Sequence, residues 1–274
     1  SGAAGASAGS SAAAGSSAAA GSSAAAAGAS ASGAAGTSAA DGGDGKVKHA
    51  CLKAPADMVF VGDSYVNYII AHTELNVMVA NNAIKDGALK QGQVYPDYAV
   101  PGTTIAAAPA QIPGQWTKAK ADNKDIQFVV MNGGGNDVLI NNPQCKANGA
   151  SKDASCQKVV MNSLAAGKMM MSDMKASGVT EVVYFFYPHA PTGGADIDDY
   201  TIPMLKDVCA GLSDAKFQCR VVDTVPIFEG HNDWYASDGI HANDKGEQAI
   251  ADAIWKQLKD DCAAQPASSG CCME

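Results

Sequence analysis

The sequence predicts an α/β domain: an open, mostly parallel sheet of about five strands with helices on both faces. Three observations predict it. Short apolar runs rich in β-branched residues, such as Asp57-Met-Val-Phe-Val61, have the length and composition of strands buried on both faces. Segments whose apolar residues recur at helical spacing alternate with them. The remaining chain, once a low-complexity leader is set aside, is about 220 residues long, the usual size of one such domain.

The leader comes first. Residues 1–40 contain only Ser, Ala and Gly apart from Thr37. Side chains of this kind cannot bury enough apolar area to offset the entropy of ordering, so residues 1–45 are expected to be a disordered tether. The folded domain is expected over 46–262, and 263–274 as a flexible tail containing cysteines.

Within the domain, the run ending at Val61 reads as a buried strand feeding the turn Gly62-Asp63-Ser64. From Tyr65 to about Ala80 the apolar spacing is helical. A second short strand is expected around Tyr98-Ala-Val100, stopped by Pro101-Gly102. Ile126 to Met131 is a third strand, ending in Asn132-Gly-Gly-Gly-Asn-Asp137. The polar stretch between Cys145 and Cys156 reads as a loop, and a helix follows from about Gln157 to Ala176, stopped by Ser177-Gly178. Glu181 to Tyr187 is the fourth strand, Ile202 to Leu212 a helix, and Cys219 to Asp223 the fifth strand. The last helix runs from Lys245 to about Lys259, with a capping-box-like start at Asp244 and Glu247 and an apolar stripe of Ile250, Ile254 and Leu258.

Composition narrows the function. With 19 basic and 28 acidic residues the net charge is −9, which repels phosphate backbones and argues against a nucleic-acid partner. No stretch reads as a membrane span. The eight cysteines lack metal-site spacing and favour disulfides in an oxidising compartment. The count leaves the pairing open. Local loops Cys145–Cys156 and Cys209–Cys219 and a clasp Cys51–Cys262 are the expected set. A secreted or cell-surface protein is expected, with room for a lipid anchor upstream of residue 1.

Functional groups in such sheets collect beyond the carboxyl ends of the strands, and those ends hold Ser64, Gly102 and Asn136. A serine where a strand turns into a helix has free backbone N–H groups beside it. In Asp238-Gly-Ile-His241, a carboxylate three residues before an imidazole can accept Nδ1–H and leave Nε2 facing a nucleophile. The glycines before Asn136 permit close approach of a substrate, and Asn136 offers a side-chain N–H donor. Gly102 offers a backbone N–H in the same sense.

Taken in order, Gly62-Asp63-Ser64, Ala99-Val-Pro-Gly102, Gly134-Gly-Asn-Asp137 and Asp238-Gly-Ile-His241 resemble the four blocks of the SGNH hydrolases, the GDSL esterase/lipase family, over roughly residues 57–260. The resemblance implies a flavodoxin-like three-layer αβα fold. It implies Ser64 as nucleophile, His241 as general base and acid, Asp238 as its orienter, and an oxyanion hole from the backbones of Ser64 and Gly102 and the side chain of Asn136. Tyr65 departs from the family, where many members carry Leu, and leaves the substrate open.

The expected activity is hydrolysis of carboxylic esters, short-chain acyl or acetyl, including those on carbohydrates. The absence of a long apolar stretch or an obvious lid favours small or polar esters. A lipase or lysophospholipase activity is the alternative within the family, and a non-catalytic glycan-binding module the alternative outside it. Tyr65, Tyr187, His189, Trp234 and Tyr235 are candidates for the substrate pocket. No cofactor and no metal is expected: His231, Asp233, Asp238 and His241 can be drawn as a metal site, but Asp238 and His241 already have roles and no further ligand cluster accompanies them. Gly5-Ala-Ser-Ala-Gly9 spells a nucleophile-elbow pattern by composition alone, with no strand before it. Met169, Met170, Met171 and Met174 read as core filling on a helix.

Overall fold

The computed structural model describes residues 47–67, 74–142, 145 and 149–273; the expected tether lies outside them. Among these residues, four strands, β1 (Met58–Val61), β2 (Phe128–Met131), β3 (Glu181–Phe185) and β4 (Gln218–Val222), pair in parallel in that order. The strand expected at Tyr98–Val100 is reduced to one parallel bridge between Phe60 and Asp97, held by Phe60 N–H to the Pro96 carbonyl and Tyr98 N–H to the Phe60 carbonyl, both 2.9 Å. Pro96 and Pro101 bracket this segment and lack the N–H groups that would extend the ladder. It lies outside β1, so in chain order the segments run 2-1-3-4-5 across the sheet, the flavodoxin-like arrangement.

Among the described residues, seven helices fill the connections: α1 (Leu75–Lys85), α2 (Ile112–Asp122), α3 (Gly135–Leu139), α4 (Ala154–Ala176), α5 (Ala195–Leu212), α6 (Val225–Phe228) and α7 (Asp244–Asp260). The two-residue period of the strands divides the core. Met58, Phe60, Phe128, Val130, Val183 and Phe185 face α1 and α7, where Leu75, Val79, Ile250 and Ile254 are buried. Val59, Val61, Val129, Met131, Val182 and Tyr184 face α2, α4 and α5. The three layers of an αβα sandwich result. In the second core, Met170, Met171 and Met174 are buried, while Met169 is exposed.

Several boundaries differ from the sequence reading. The helix expected from Tyr65 is found as α1 from Leu75; residues 64–66 form a turn and 68–73 lie outside the described residues. Helix α2 was not expected, because Pro113-Gly114 interrupts its pattern. Proline is tolerated in the first helical turn, and Ile112, Trp116 and Ala119 supply a buried stripe. Helix α5 starts seven residues before Ile202 and carries Pro203 inside. Helix α7 is capped by Asn243, whose side chain accepts from the N–H groups of Lys245 and Gly246. Glu247, expected to complete a capping box, is instead buried, and burial pushes its carboxyl up to about 8.

Disulfides join Cys145–Cys156 and Cys209–Cys219, as expected, and Cys51–Cys272. The clasp therefore reaches past Cys262. The chain continues beyond that residue in contact with the domain: Ala263 and Ala264 are fully buried, and Met273 N–H bonds the His49 carbonyl at 2.8 Å. Covalent closure of a loop of this length holds the two ends of the domain together. Among the described residues, no helix is long and apolar enough to cross a membrane.

Candidate active site

After β1 the chain departs to the bridge segment on one side, and β2 pairs on the other, so the carboxyl ends of β1 and β2 flank the point where the strand order reverses. A crevice opens there by geometry. The turn Gly62-Asp63-Ser64 leaves β1 into it. Gly62 is required by close approach: a Cβ there would lie 1.9 Å from Asn132 Oδ1. That same Oδ1 accepts from Asp63 N–H at 3.0 Å, and Asn132 Nδ2 donates back to Asp63 Oδ1 at 2.8 Å, clamping the loops after β1 and β2 together. Gln115 of α2 adds a second clamp, accepting from Gly62 N–H at 2.8 Å and donating to the Gly62 carbonyl at 2.9 Å.

Ser64 Oγ lies 2.7 Å from His241 Nε2, and His241 Nδ1 lies 2.7 Å from Asp238 Oδ2. Asp238 Oδ1 accepts from the N–H groups of Ile240 and His241, at 2.9 and 3.0 Å. The short Asp238–His241 turn is thus wrapped around one carboxylate, which fixes the direction of the ring. With the imidazole proton on Nδ1, Nε2 is left as the acceptor facing the serine hydroxyl. Tyr65 OH bonds the Ile240 carbonyl, tying this loop to the residue after Ser64.

Asn136 uses one amide proton on the Thr103 carbonyl at 2.7 Å, leaving the other for a ligand. That bond also ties the loop after β2 to the residue following Gly102, and the φ of Gly102 itself, +78°, lies in the left-handed region that favours glycine. Asp137 secures the same loop by accepting from the N–H groups of Ile105, Ala106 and Ala107. Ser64, Gly102, Asn136 and His241 all line one cavity of about 530 Å³.

Behind the serine, Asp63 is almost wholly buried. Burial holds its carboxyl above the ordinary range, against hydrogen bonds from Tyr187, Tyr65 and Asn132 that favour the charge. Tyr187 OH donates to Asp63 Oδ2 and accepts from Gly135 N–H. Tyr187 and Gln115 thus join the site from the loop after β3 and from α2, and local spacing gave no signal for either contact.

The pocket candidates separate. Tyr65 and Tyr187 line the cavity. Trp234 and Tyr235 do not, because both rings pack against Phe228, and Trp234 also stacks on His231 at 3.7 Å. His189 also lies outside the lining and pairs with Asp199 at 3.1 Å. Asp233 pairs with Lys245 at 3.0 Å, so the four residues drawn as a metal site are engaged in separate contacts.

Asp198, one turn into α5, also faces the cavity. Burial, with Asp199 and Asp223 nearby, pushes its carboxyl up to about 8. Between the ordinary carboxylate value and 8 the folded chain holds a proton that the unfolded chain has lost. The contribution of this group to stability is therefore most favourable at low pH and declines as pH rises towards 8. Asp198→Asn is expected to raise Tm by a few degrees near pH 8 and to change it little near pH 4, as read by thermal unfolding at both.

The GDSL-like lipase/acylhydrolase family model matches residues 60–249. The chain belongs to this family. It is a carboxylic ester hydrolase of the SGNH/GDSL type, and its fold is found in solved structures of other esterases. A carbohydrate esterase family 3 protein from Talaromyces cellulolyticus is 19% identical with a TM-score of 0.56, covering 74% of this chain and 96% of that one. A lipase/acylhydrolase from Enterococcus faecalis is 17% identical with a TM-score of 0.53, covering 74% and 95%. A family 3 carbohydrate esterase from Clostridium thermocellum is 17% identical with a TM-score of 0.52, covering 74% and 94%. No curated protein matches the acylhydrolase sequence significantly.

Proposed function

We propose that this acylhydrolase cleaves carboxylic esters through an acyl-enzyme on Ser64. The observation that carries the reading is the continuous chain of contacts Ser64 Oγ, His241 Nε2, His241 Nδ1, Asp238 Oδ2, both steps 2.7 Å. His241 takes the hydroxyl proton as Oγ attacks the ester carbonyl, and Asp238 steadies the imidazolium that forms. The Ser64 and Gly102 N–H groups and the second amide proton of Asn136 hold the oxyanion. The alcohol leaves with the proton from His241. Water, activated by the same ring, then releases the acid and restores the serine.

The likeness to two family 3 carbohydrate esterases supports short acyl or acetyl esters, including those on carbohydrates, as one substrate reading. A lipid-type acyl substrate is the second reading, and the apolar cavity beside Ser64 favours it. The disulfides and the Ser/Ala/Gly-rich leader support export, with the leader as a spacer to an anchor or another module.

The test is hydrolysis of p-nitrophenyl esters with Asn136→Ala as the informative variant. Loss of one oxyanion donor is expected to lower kcat by about 10²–10³-fold with a smaller change in KM. An unchanged kcat removes Asn136 from the oxyanion hole.

A further inference from the structure

We propose that the cavity beneath Ser64 is a chamber for a medium-length alkyl chain, with Gly167 setting its depth. The inference rests on Ser64 as the acyl acceptor and adds the class of acyl group that it receives.

Topology sets the direction of the cavity. Both α4 and α5 start at the carboxyl end of the sheet and run back towards its amino end, since each leads into the next parallel strand. Their cavity-lining residues are spaced along that direction: Val160, Leu164 and Gly167 on α4, and Ile197, Thr201 and Leu205 on α5. From Val160 to Gly167 is about two turns, or roughly 10 Å of helix. The cavity therefore descends from the reacting serine between two helices, rather than spreading over the surface. A zigzag of single carbon–carbon bonds advances roughly 1.25 Å per carbon, so a chain of about eight carbons spans this depth.

Its walls suit an alkyl chain and little else. Three of the polar side chains along its depth are turned to backbone carbonyls. Thr201 Oγ1 donates to the Ile197 carbonyl at 2.6 Å, Ser163 Oγ to the Val159 carbonyl at 3.1 Å, and Tyr184 OH to the Gly133 carbonyl at 2.7 Å. Asp198, at the upper turn of α5, also lines it, and burial favours its uncharged form. A sugar placed inside would lose hydrogen bonds to water that these walls do not replace. An acetyl group would leave most of the volume unfilled.

Gly167 marks the lower end on α4. A Cβ there meets Ile105 Cδ1 at 3.5 Å, ordinary contact, so a side chain at this position is accommodated on the helix and takes up chamber volume. The expected readout is the ratio of kcat/KM for p-nitrophenyl octanoate to that for the acetate. Each buried methylene contributes about 0.8 kcal/mol, so the wild-type ratio is expected to be at least about 100, with a decline for dodecanoate. In Gly167→Leu the ratio is expected to fall at least about 50-fold, with the optimum moving to butyrate or shorter.

A wild-type profile that is highest for acetate and falls steadily with chain length overturns the chamber. The nucleophile reading survives that result if a serine-directed phosphonate still labels Ser64. Failure of the label, with no ester cleaved, overturns both. The wild-type profile needs no substitution, so it decides the question even where Gly167→Leu does not fold. A folded Gly167→Leu protein with an unaltered ratio also contradicts the inference.

Discussion

Ser64→Ala is expected to lower kcat by about a million-fold on every ester that the enzyme cleaves. The size follows from what the hydroxyl does. Without Oγ there is no acyl-enzyme, and the reaction must proceed by direct attack of water, in a site whose base is aimed at an atom that is gone. The oxyanion donors and the cavity remain, so a residual acceleration over solution of about 10³–10⁴-fold is expected to persist. Removing the hydroxyl also frees His241 Nε2 of its 2.7 Å partner without disturbing the clamps on the loop, which run through Gly62, Asp63, Gln115 and Asn132. Tm is therefore expected to stay within a few degrees of wild type. Stopped-flow or steady-state assays of a preparation free of wild-type enzyme check this, and retention of more than about one part in a thousand of the activity contradicts it.

Asp238→Asn is expected to cost about 10⁴-fold in kcat. The substitution preserves shape, and the amide oxygen can still accept from the N–H groups of Ile240 and His241. What changes is the atom facing His241 Nδ1, which becomes a donor. The ring then keeps its proton on Nε2, pointing at Ser64, and cannot accept the hydroxyl proton. Because the carboxylate is part-exposed, its through-space stabilisation of the imidazolium is moderated by solvent; the tautomer change is the larger effect. A loss below tenfold, with an unchanged fold by circular dichroism, assigns the orienting role elsewhere.

Much of this site was legible before the fold, and the reasons are local. A β-branched apolar run followed by Gly62-Asp63-Ser64 places the serine at a strand end because glycine permits the turn and the run is too short for a helix. Asp238 and His241 are three residues apart, so their contact is set by a single turn of chain. The loop glycines before Asn136 mark a close approach in the same way. Contacts across the chain gave no such signal. Tyr187 meets Asp63 over a separation of 124 residues, and Gln115 reaches Gly62 over 53. Their partners follow from the strand order, which local spacing does not contain. Helix α2 was hidden by Pro113-Gly114, and the second strand was overestimated because its flanking prolines withhold ladder hydrogen bonds. The cavity between α4 and α5 was equally hidden, since an alternating apolar pattern reports that a helix is buried and not whether the space in front of it is filled.

The central claim is that Ser64 becomes acylated. Treating the intact protein with a serine-directed phosphonate and locating the adduct by peptide mass spectrometry tests it most directly. One adduct per chain on the peptide containing Ser64, absent when His241 is replaced by alanine, is the result expected. An adduct on another serine with Ser64 untouched, or no adduct on an enzyme that still cleaves esters, contradicts it.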